Sequence, residues 1–527
     1  MIATTAKVVL PHIDYLAIMP ELILLGGAIL VLLVASMTRG GMKRNAATAT
    51  TVAIGLASLI ASIVGWFHVS NHGASVTIDS AISLDAFAAF VSIIISCTLI
   101  LATLIGHAYL EREGISTTEY HVLALASAAG AIMMGQANDL IVLFLGLEIL
   151  SIALYVLAAF NPLRGESGEA ALKYFILGGF SSAVFVYGIA LVYGATGSTN
   201  YSQIADFLSL NQLVHSGLLY AGIGLLLVGF AFKVAAVPFH LWTPDVYQGS
   251  PTPVTGYMAA VAKAGAFAGM LRVLFSVFGT QSSTWQPIVY ALAVASLVLG
   301  ALVALPQRDV KRMLAYSSIN HTGFILLGVE AATVAGFSAS AYYLFAYAIM
   351  TVGTFGILAL LGGPGDGNHD LAGYRGLARR HPVLGGCLVV LLLAQAGAPF
   401  TTGFLAKFGV VAASVGAGSW PLAVIAMATA AIAAFFYLRV AVLAVSPLKD
   451  DDDTAAIPSD ASAATVRATS SLLLEDEVEI APAPITVSVA PIGVVAVVIA
   501  TATTVFFGVV PGPLLDMAHA VGNVIIP

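Results

Sequence analysis

Apolar runs of about twenty residues recur from Tyr15 to Val510, each closed by a short polar or glycine- and proline-bearing interruption. About twenty helical residues cross a hydrocarbon core of ~30 Å, whereas barrel strands would alternate apolar and polar positions over ~10 residues. The runs are continuous, so the pattern predicts an all-α polytopic membrane protein. About fourteen transmembrane helices are expected, over 15–37, 46–66, 84–109, 119–136, 139–160, 168–195, 217–247, 252–278, 287–306, 310–330, 336–361, 382–416, 420–446 and 486–511. The first run has no basic stretch before it and no small-residue cleavage site after it, and it carries Glu21, so it reads as a retained helix.

Composition agrees with that picture and narrows the function. The chain of 527 residues is 59% hydrophobic and 9% charged, where a soluble protein is about a quarter charged. Cys97 and Cys387 lie in apolar runs far apart, which supports neither an iron-sulfur cluster nor a disulfide framework. No glycine-rich dinucleotide or phosphate loop stands in a strand-to-helix setting, so redox cofactors are expected on other chains, with no metal here. The net charge of -7 comes largely from the acidic stretch 450–479, read as a solvated loop, and gives no reason to expect nucleic acid.

The basic residues orient the helices. With both termini outside, thirteen of the twenty Lys and Arg fall in inner loops, as the enrichment of cytoplasmic loops requires. Arg272 and Arg439 stand toward helix ends, from which a long side chain reaches an interface. Lys173, Lys233, Lys263 and Lys407 fall inside the sixth, seventh, eighth and twelfth helices, and Glu148 lies mid-way along the fifth. A central charge costs ~2.5–3.5 kcal/mol on insertion, so five cost roughly 12–18 kcal/mol before pairing. Ion pairs, a hydrated cavity or a proton pathway are the usual ways to offset that.

Two of the lysines stand beside prolines. Pro238 has no amide hydrogen, so it frees the carbonyl of Val234, next to Lys233, and kinks or breaks the seventh helix. Pro399 does the same to the carbonyl of Gln395 in the twelfth, with Lys407 two turns on. A packing kink is the plainer reading of each; a broken helix lining an ion site is the functional one. The recurrence suggests an internal duplication. Helices four to eight and nine to thirteen form two inverted five-helix repeats, since an odd number of spans reverses the second unit. The expected divisions are 1–115, 116–280, 281–447, an acidic cytoplasmic loop 448–485, and 486–527.

Glu148 and Lys173 read either as a structural ion pair or as a switch whose state answers nearby charges. His240 and His321 are each a satisfied core residue or a proton relay. Around His321, the residues Tyr316, Ser317, Ser318, Asn320 and Thr322 make a polar patch suited to water or to interhelical hydrogen bonds.

The stretches FKVAAVPFHLWTPDVYQGSPTPVTGYMAAVAKAGAF and RDVKRMLAYSSINHTGF resemble the signature segments of the antiporter-like membrane subunits of respiratory complex I. DVYQGSPTPVT followed by a lysine on the eighth helix resembles the subunit N branch, the lysine on the twelfth fits subunit N or L, and about 520 residues with no long lateral helix after the fourteenth favour N. The likeness runs from the first to the last helix, and the 450–479 stretch departs from it. It implies a non-redox subunit of a proton-translocating NADH:quinone oxidoreductase, with NADH, FMN, iron-sulfur clusters and quinone on partner subunits. It also implies that Glu148 and Lys173 are a coupling pair, Lys233 the central, Lys263 the connecting and Lys407 the exit-side lysine, with His240 and His321 assisting. The neighbours would be antiporter-like subunit M and small subunits such as K and J, in the bacterial plasma membrane. Rival readings are a subunit of a multi-subunit cation/proton antiporter or membrane-bound hydrogenase, a non-conducting scaffold, or a stand-alone solute carrier.

Overall fold

The computed structural model describes residues 13–38, 41–115, 117–211, 216–367, 369–447 and 490–525. The acidic stretch expected at 448–485 lies outside the described residues. In order, the helices are α1 (Met19–Met37), α2 (Arg44–His72), α3 (Ala86–Glu113), α4 (Thr118–Gln136), α5 (Leu140–Ala158), α6 (Gly165–Thr196), α7 (Tyr201–Leu210), α8 (Gly217–Lys233), α9 (Trp242–Gly249) and α10 (Thr252–Arg272). They continue as α11 (Ser282–Ala304), α12 (Val310–Glu330), α13 (Val334–Leu361), α14 (Leu377–Arg380), α15 (Pro382–Ala396), α16 (Thr402–Gly416), α17 (Trp420–Val445), α18 (Pro491–Val509) and α19 (Gly512–Ile525). Among the described residues, ten helices are long and apolar enough to cross a membrane. The protein is a multi-pass, essentially all-α membrane protein. A short antiparallel hairpin, β1 (Ser75–Thr77) with β2 (Ile82–Leu84), and the short helices α7 and α19 were not foreseen.

Burial sorts the helices into a centre and a rim. Every residue of α10 and nearly all of α13 are buried, as expected of helices apolar all round. The rim helices instead turn large apolar side chains outward, such as Phe175 and Phe180 of α6 or Phe435 of α17. Polar α12 packs among α11, α13, α16 and α17, which removes its serines and His321 from the surface.

Central burial corrects the expectation for Arg272. Its side chain does not reach an interface; it is 3% exposed. With no path outward from α10, the guanidinium is met inside by Asp85, at 2.6 and 2.9 Å, and by the carbonyl of Gly135 at 2.8 Å. Burial pushes the Asp85 carboxyl up, and Arg272, together with hydrogen bonds from the Ala88 N–H and the Ser83 hydroxyl, more than offsets this, so it titrates below its ordinary range.

The opposite end of the bundle is gathered by Asp366, in the turn after α13. Its fully buried carboxylate accepts from the backbone N–H and hydroxyl of Thr252, at the start of α10, at 2.9 and 2.8 Å. It also accepts from Arg164 at 3.2 Å and His369 at 3.0 Å, with Lys311 at 3.5 Å. Residues from four separate segments thus close on one anion. Burial alone would raise this carboxyl, but Lys311 and the His369 hydrogen bond hold it well below the usual carboxylate range.

Candidate functional site

The run 217–247 is divided: α8 ends on Lys233 and α9 begins at Trp242, with Ala235 at φ +60° between them. Backbone freed here needs partners, because no water is available at hydrocarbon depth. It finds them on other helices. The Val234 carbonyl accepts from the Thr322 hydroxyl of α12 at 2.6 Å, the Val237 N–H donates to Ser296 of α11 at 2.9 Å, and the Phe232 carbonyl accepts from the Trp242 indole at 3.0 Å. The polar patch on α12 therefore serves in part to terminate α8.

Lys233 is 4% exposed, and its ammonium stands 5.3 Å from the ring centres of both Tyr155 and Tyr174. Ring faces attract a cation, and among the described residues it has no hydrogen-bond acceptor. A small cavity beside it is lined by Ser181 and Ser182 of α6. The Ser182 hydroxyl donates to Glu148 at 2.5 Å, so the fifth-helix carboxylate is turned toward the Lys233 region.

That geometry corrects the expected Glu148–Lys173 pair. Lys173 is instead bound by Glu169 at 2.7 Å and Asp245 at 2.8 Å, with its side chain 42% exposed. The reason is axial offset: Glu148 meets Ser182, nine residues beyond Lys173 and so about 14 Å farther along α6.

Lys263 is fully enclosed in α10. Its ammonium donates to the carbonyl and hydroxyl of Ser318, both at 2.6 Å, and to Thr322 at 2.8 Å, and it lies 4.9 Å from the centre of the Tyr347 ring. Thr322 consequently joins Lys263 to the carbonyl next to Lys233. Ser318 also receives the Tyr347 hydroxyl at 2.7 Å and approaches Tyr247 at 3.4 Å. His321 lies between the hydroxyls of Tyr343 at 2.7 Å and Tyr437 at 3.0 Å, and Tyr437 also bonds Ser317. The hydroxyls and ammonium around Lys263, and the hydroxyls and imidazole around His321, are two neighbouring clusters, each made of groups able to hold and exchange a proton.

The second divided run, α15 and α16, repeats the arrangement with differences. Lys407 of α16 donates to the carbonyl of Ala396, the last residue of α15, at 2.9 Å, and stands 5.0 Å from the centre of the Phe324 ring. Gly397 suits this position on two counts. Its φ is +96°, and an added Cβ would sit 3.1 Å from the Lys407 stem.

His240 lies in the segment between α8 and α9, 7% exposed, with its Nδ1 buried and without a partner among the described residues. Among the described residues no hydrogen bond joins it to a lysine. The tyrosines at 155, 174, 343, 347 and 437 were missed by sequence reasoning, because an aromatic in an apolar run reads equally as core; Ser182 and Ser296 carried no local signal at all.

Thr322→Val keeps the side-chain shape while leaving the Val234 carbonyl and one Lys263 donor unpaired. Stranding a buried polar group costs ~1–3 kcal/mol. The variant should unfold at lower temperature than wild type in the same detergent, whereas Thr322→Ser, which keeps the hydroxyl, should track wild type.

Comparison with known proteins places this geometry. The family described as NADH:quinone oxidoreductase/Mrp antiporter, TM, matches residues 137–433. A relative named NADH-quinone oxidoreductase subunit N 1, from Herpetosiphon aurantiacus, is 38% identical over 98% of this chain and 98% of its own. Among solved structures, a chain from respiratory complex I of Thermus thermophilus with bound aureothin aligns with TM-score 0.76 and 29% identity over 95% of this chain and 99% of that one. A chain of the Mrp complex from a Dietzia species has the same fold, with TM-score 0.81 at 21% identity over 97% of each.

Proposed function

The chain belongs to the NADH:quinone oxidoreductase/Mrp antiporter transmembrane family, and from that premise we propose that it is a subunit-N-type proton translocator of an NADH:quinone oxidoreductase. Near full-length likeness to a protein named subunit N favours this over the cation/proton antiporter reading. The observation that carries it is the shared hydroxyl of Thr322, which links the end of α8 at Lys233 to Lys263.

In this reading fourteen spans consist of the ten long apolar helices, α4, α12, and the two divided segments α8/α9 and α15/α16. Residues 116–280 and 281–447 are inverted five-helix repeats, and Pro238 and Pro399 break the fourth helix of each. Thr322 and Ser318 belong to the second repeat and Lys263 and Val234 to the first, so the polar line crosses between repeats, where such transporters place their sites. Both termini face outward from a bacterial plasma membrane, and subunits M, K and J are the neighbours.

Glu148 senses the adjoining subunit, Lys233 and Lys263 hold the moving proton, His321 with its tyrosines passes it on, and Lys407 stands on the exit side. His240 assists the Lys233 end, and Lys173 anchors the inner face. Partner subunits carry NADH, FMN, iron-sulfur clusters and quinone, whose reaction supplies the ~2.3 kcal/mol needed to drive each charge against 100 mV. In the whole complex reconstituted in liposomes, Lys263→Ala should reduce protons moved per electron pair. An unchanged ratio in an intact complex would establish the scaffold reading instead.

A further inference from the structure

Between α6, α9 and the turn holding Asp366, a polar pocket of about 420 Å³ is lined by Lys173, Asp245, Gln248, Asp366 and His369 among others. Glu169 at its rim is largely exposed and Lys173 beside it partly so, and the pocket is open to solvent. The helix between it and the buried lysines is α9, only eight residues long.

The two faces of α9 do different things. Toward the pocket, Asp245 accepts from Lys173 of α6 at 2.8 Å and from Arg312 of α12 at 3.0 Å, and Arg312 also donates to Gln248 at 2.9 Å. Toward the interior, Trp242 stacks on Tyr174 with ring centres 4.5 Å apart, and Tyr174 is one of the two rings against Lys233. Tyr247 approaches Ser318, the residue that holds Lys263. One short helix therefore touches the surroundings of both lysines while its outer side is held to two neighbours by Asp245, which bonds both Lys173 and Arg312, with further bonds from Arg312 to Gln248 and from Ser167 to the Gly249 carbonyl.

We propose that Asp245 is a positioning residue that latches α9 as the partition between the open pocket and the Lys233–Lys263 line. Its ion pairs bridge α6 and α12 and keep Trp242 and Tyr247 seated; when they part, α9 is released and water in the pocket reaches the interior hydroxyls. The pocket is then the inner inlet of the pathway. This rests on the translocation reading, but the latch is testable without measuring transport.

Thr243 is a suitable reporter. It is fully buried on α9, and its hydroxyl has no partner among the described residues, so Thr243→Cys perturbs little. In inside-out membrane vesicles carrying the full complex, with Cys97→Ser and Cys387→Ser removing the native thiols, a small cationic methanethiosulfonate is added and labelling is timed. Reaction in the parent should be slow. Asp245→Asn should accelerate it by about tenfold or more, because labelling follows the population of the opened state, and Asp245→Glu should restore the slow rate. If Asp245→Asn fails to assemble, Arg312→Gln, which removes one of the two clasps, is read in the same way. Equal labelling rates in parent and latch variants would overturn the proposal. Faster labelling in a complex whose pumping is indifferent to Lys233 and Lys263 would keep the latch and discard the translocation reading.

Discussion

Lys233→Ala is expected to lower NADH-driven quinone reduction and the coupled proton uptake by about tenfold or more in the assembled complex, since a positioned proton-transfer group contributes ~10²–10⁴-fold to its step. The size of the effect follows from the surroundings of the ammonium. It stands against two tyrosine rings, with no acceptor among the described residues, beside a cavity walled by Ser181 and Ser182. A lysine placed for structure alone is normally fixed by hydrogen bonds to several acceptors, and Lys233 has none among the described residues. Alanine also leaves the helix ending intact, because the Val234 carbonyl and Val237 N–H are held by Thr322 and Ser296. Assembly should therefore survive while transport does not. The check is the rate of NADH-driven quinone reduction and of proton uptake in liposomes, with subunit content measured in the same preparation; normal rates of both would leave Lys233 a structural residue.

Asp366→Ala should cause the largest loss of stability. Removing one member of a buried ion cluster costs ~3–5 kcal/mol, because the charges left behind stay desolvated and uncompensated. Arg164 and Lys311 would be those charges, and the start of α10 would lose its anionic cap at Thr252. The temperature at which this subunit leaves the purified complex should fall clearly. Asp366→Asn keeps the shape but not the charge, and it isolates the pH dependence. The folded carboxyl titrates below the ordinary aspartate value of ~3.9. Its stabilisation is therefore fully present above that value and is lost as pH falls through the lower folded one. The stability difference between wild type and Asp366→Asn should be flat from pH 8 down to about 4 and shrink below. A difference that already shrinks between pH 8 and 6 would contradict an Asp366 ionised in that range.

Several features of the site were legible before any coordinates. A proline five residues after Lys233 frees a known carbonyl, and the need for a donor to Val234 follows from the absence of water at that depth. The patch around His321 was visible as polar residues in an apolar run. Which hydroxyl meets the carbonyl was not legible, because Thr322 lies 88 residues away and local chemistry says nothing about which helices become neighbours. Lys173 shows the same limit along the helix axis. Apolar period and length put Glu148 and Lys173 on consecutive helices, but the offset of α5 against α6 depends on how their side chains interlock, and that offset delivers Lys173 to Asp245. Asp366 stands in GGPGDGNHD, which reads as a solvated turn; its burial arises only when Arg164, Thr252, Lys311 and His369 converge on it.

The sequence by itself determined that this protein is a multi-pass helical membrane protein and that its few mid-helix charges needed an explanation, because the cost of moving a charge or a free carbonyl into hydrocarbon is a property of the residue. Partners are a property of the packing. Only the tertiary structure decided that Thr322 serves two masters, that Arg272 is answered inside by Asp85, and that Glu148 and Lys173 part company, since each depends on the relative rotation and axial offset of helices distant in the chain.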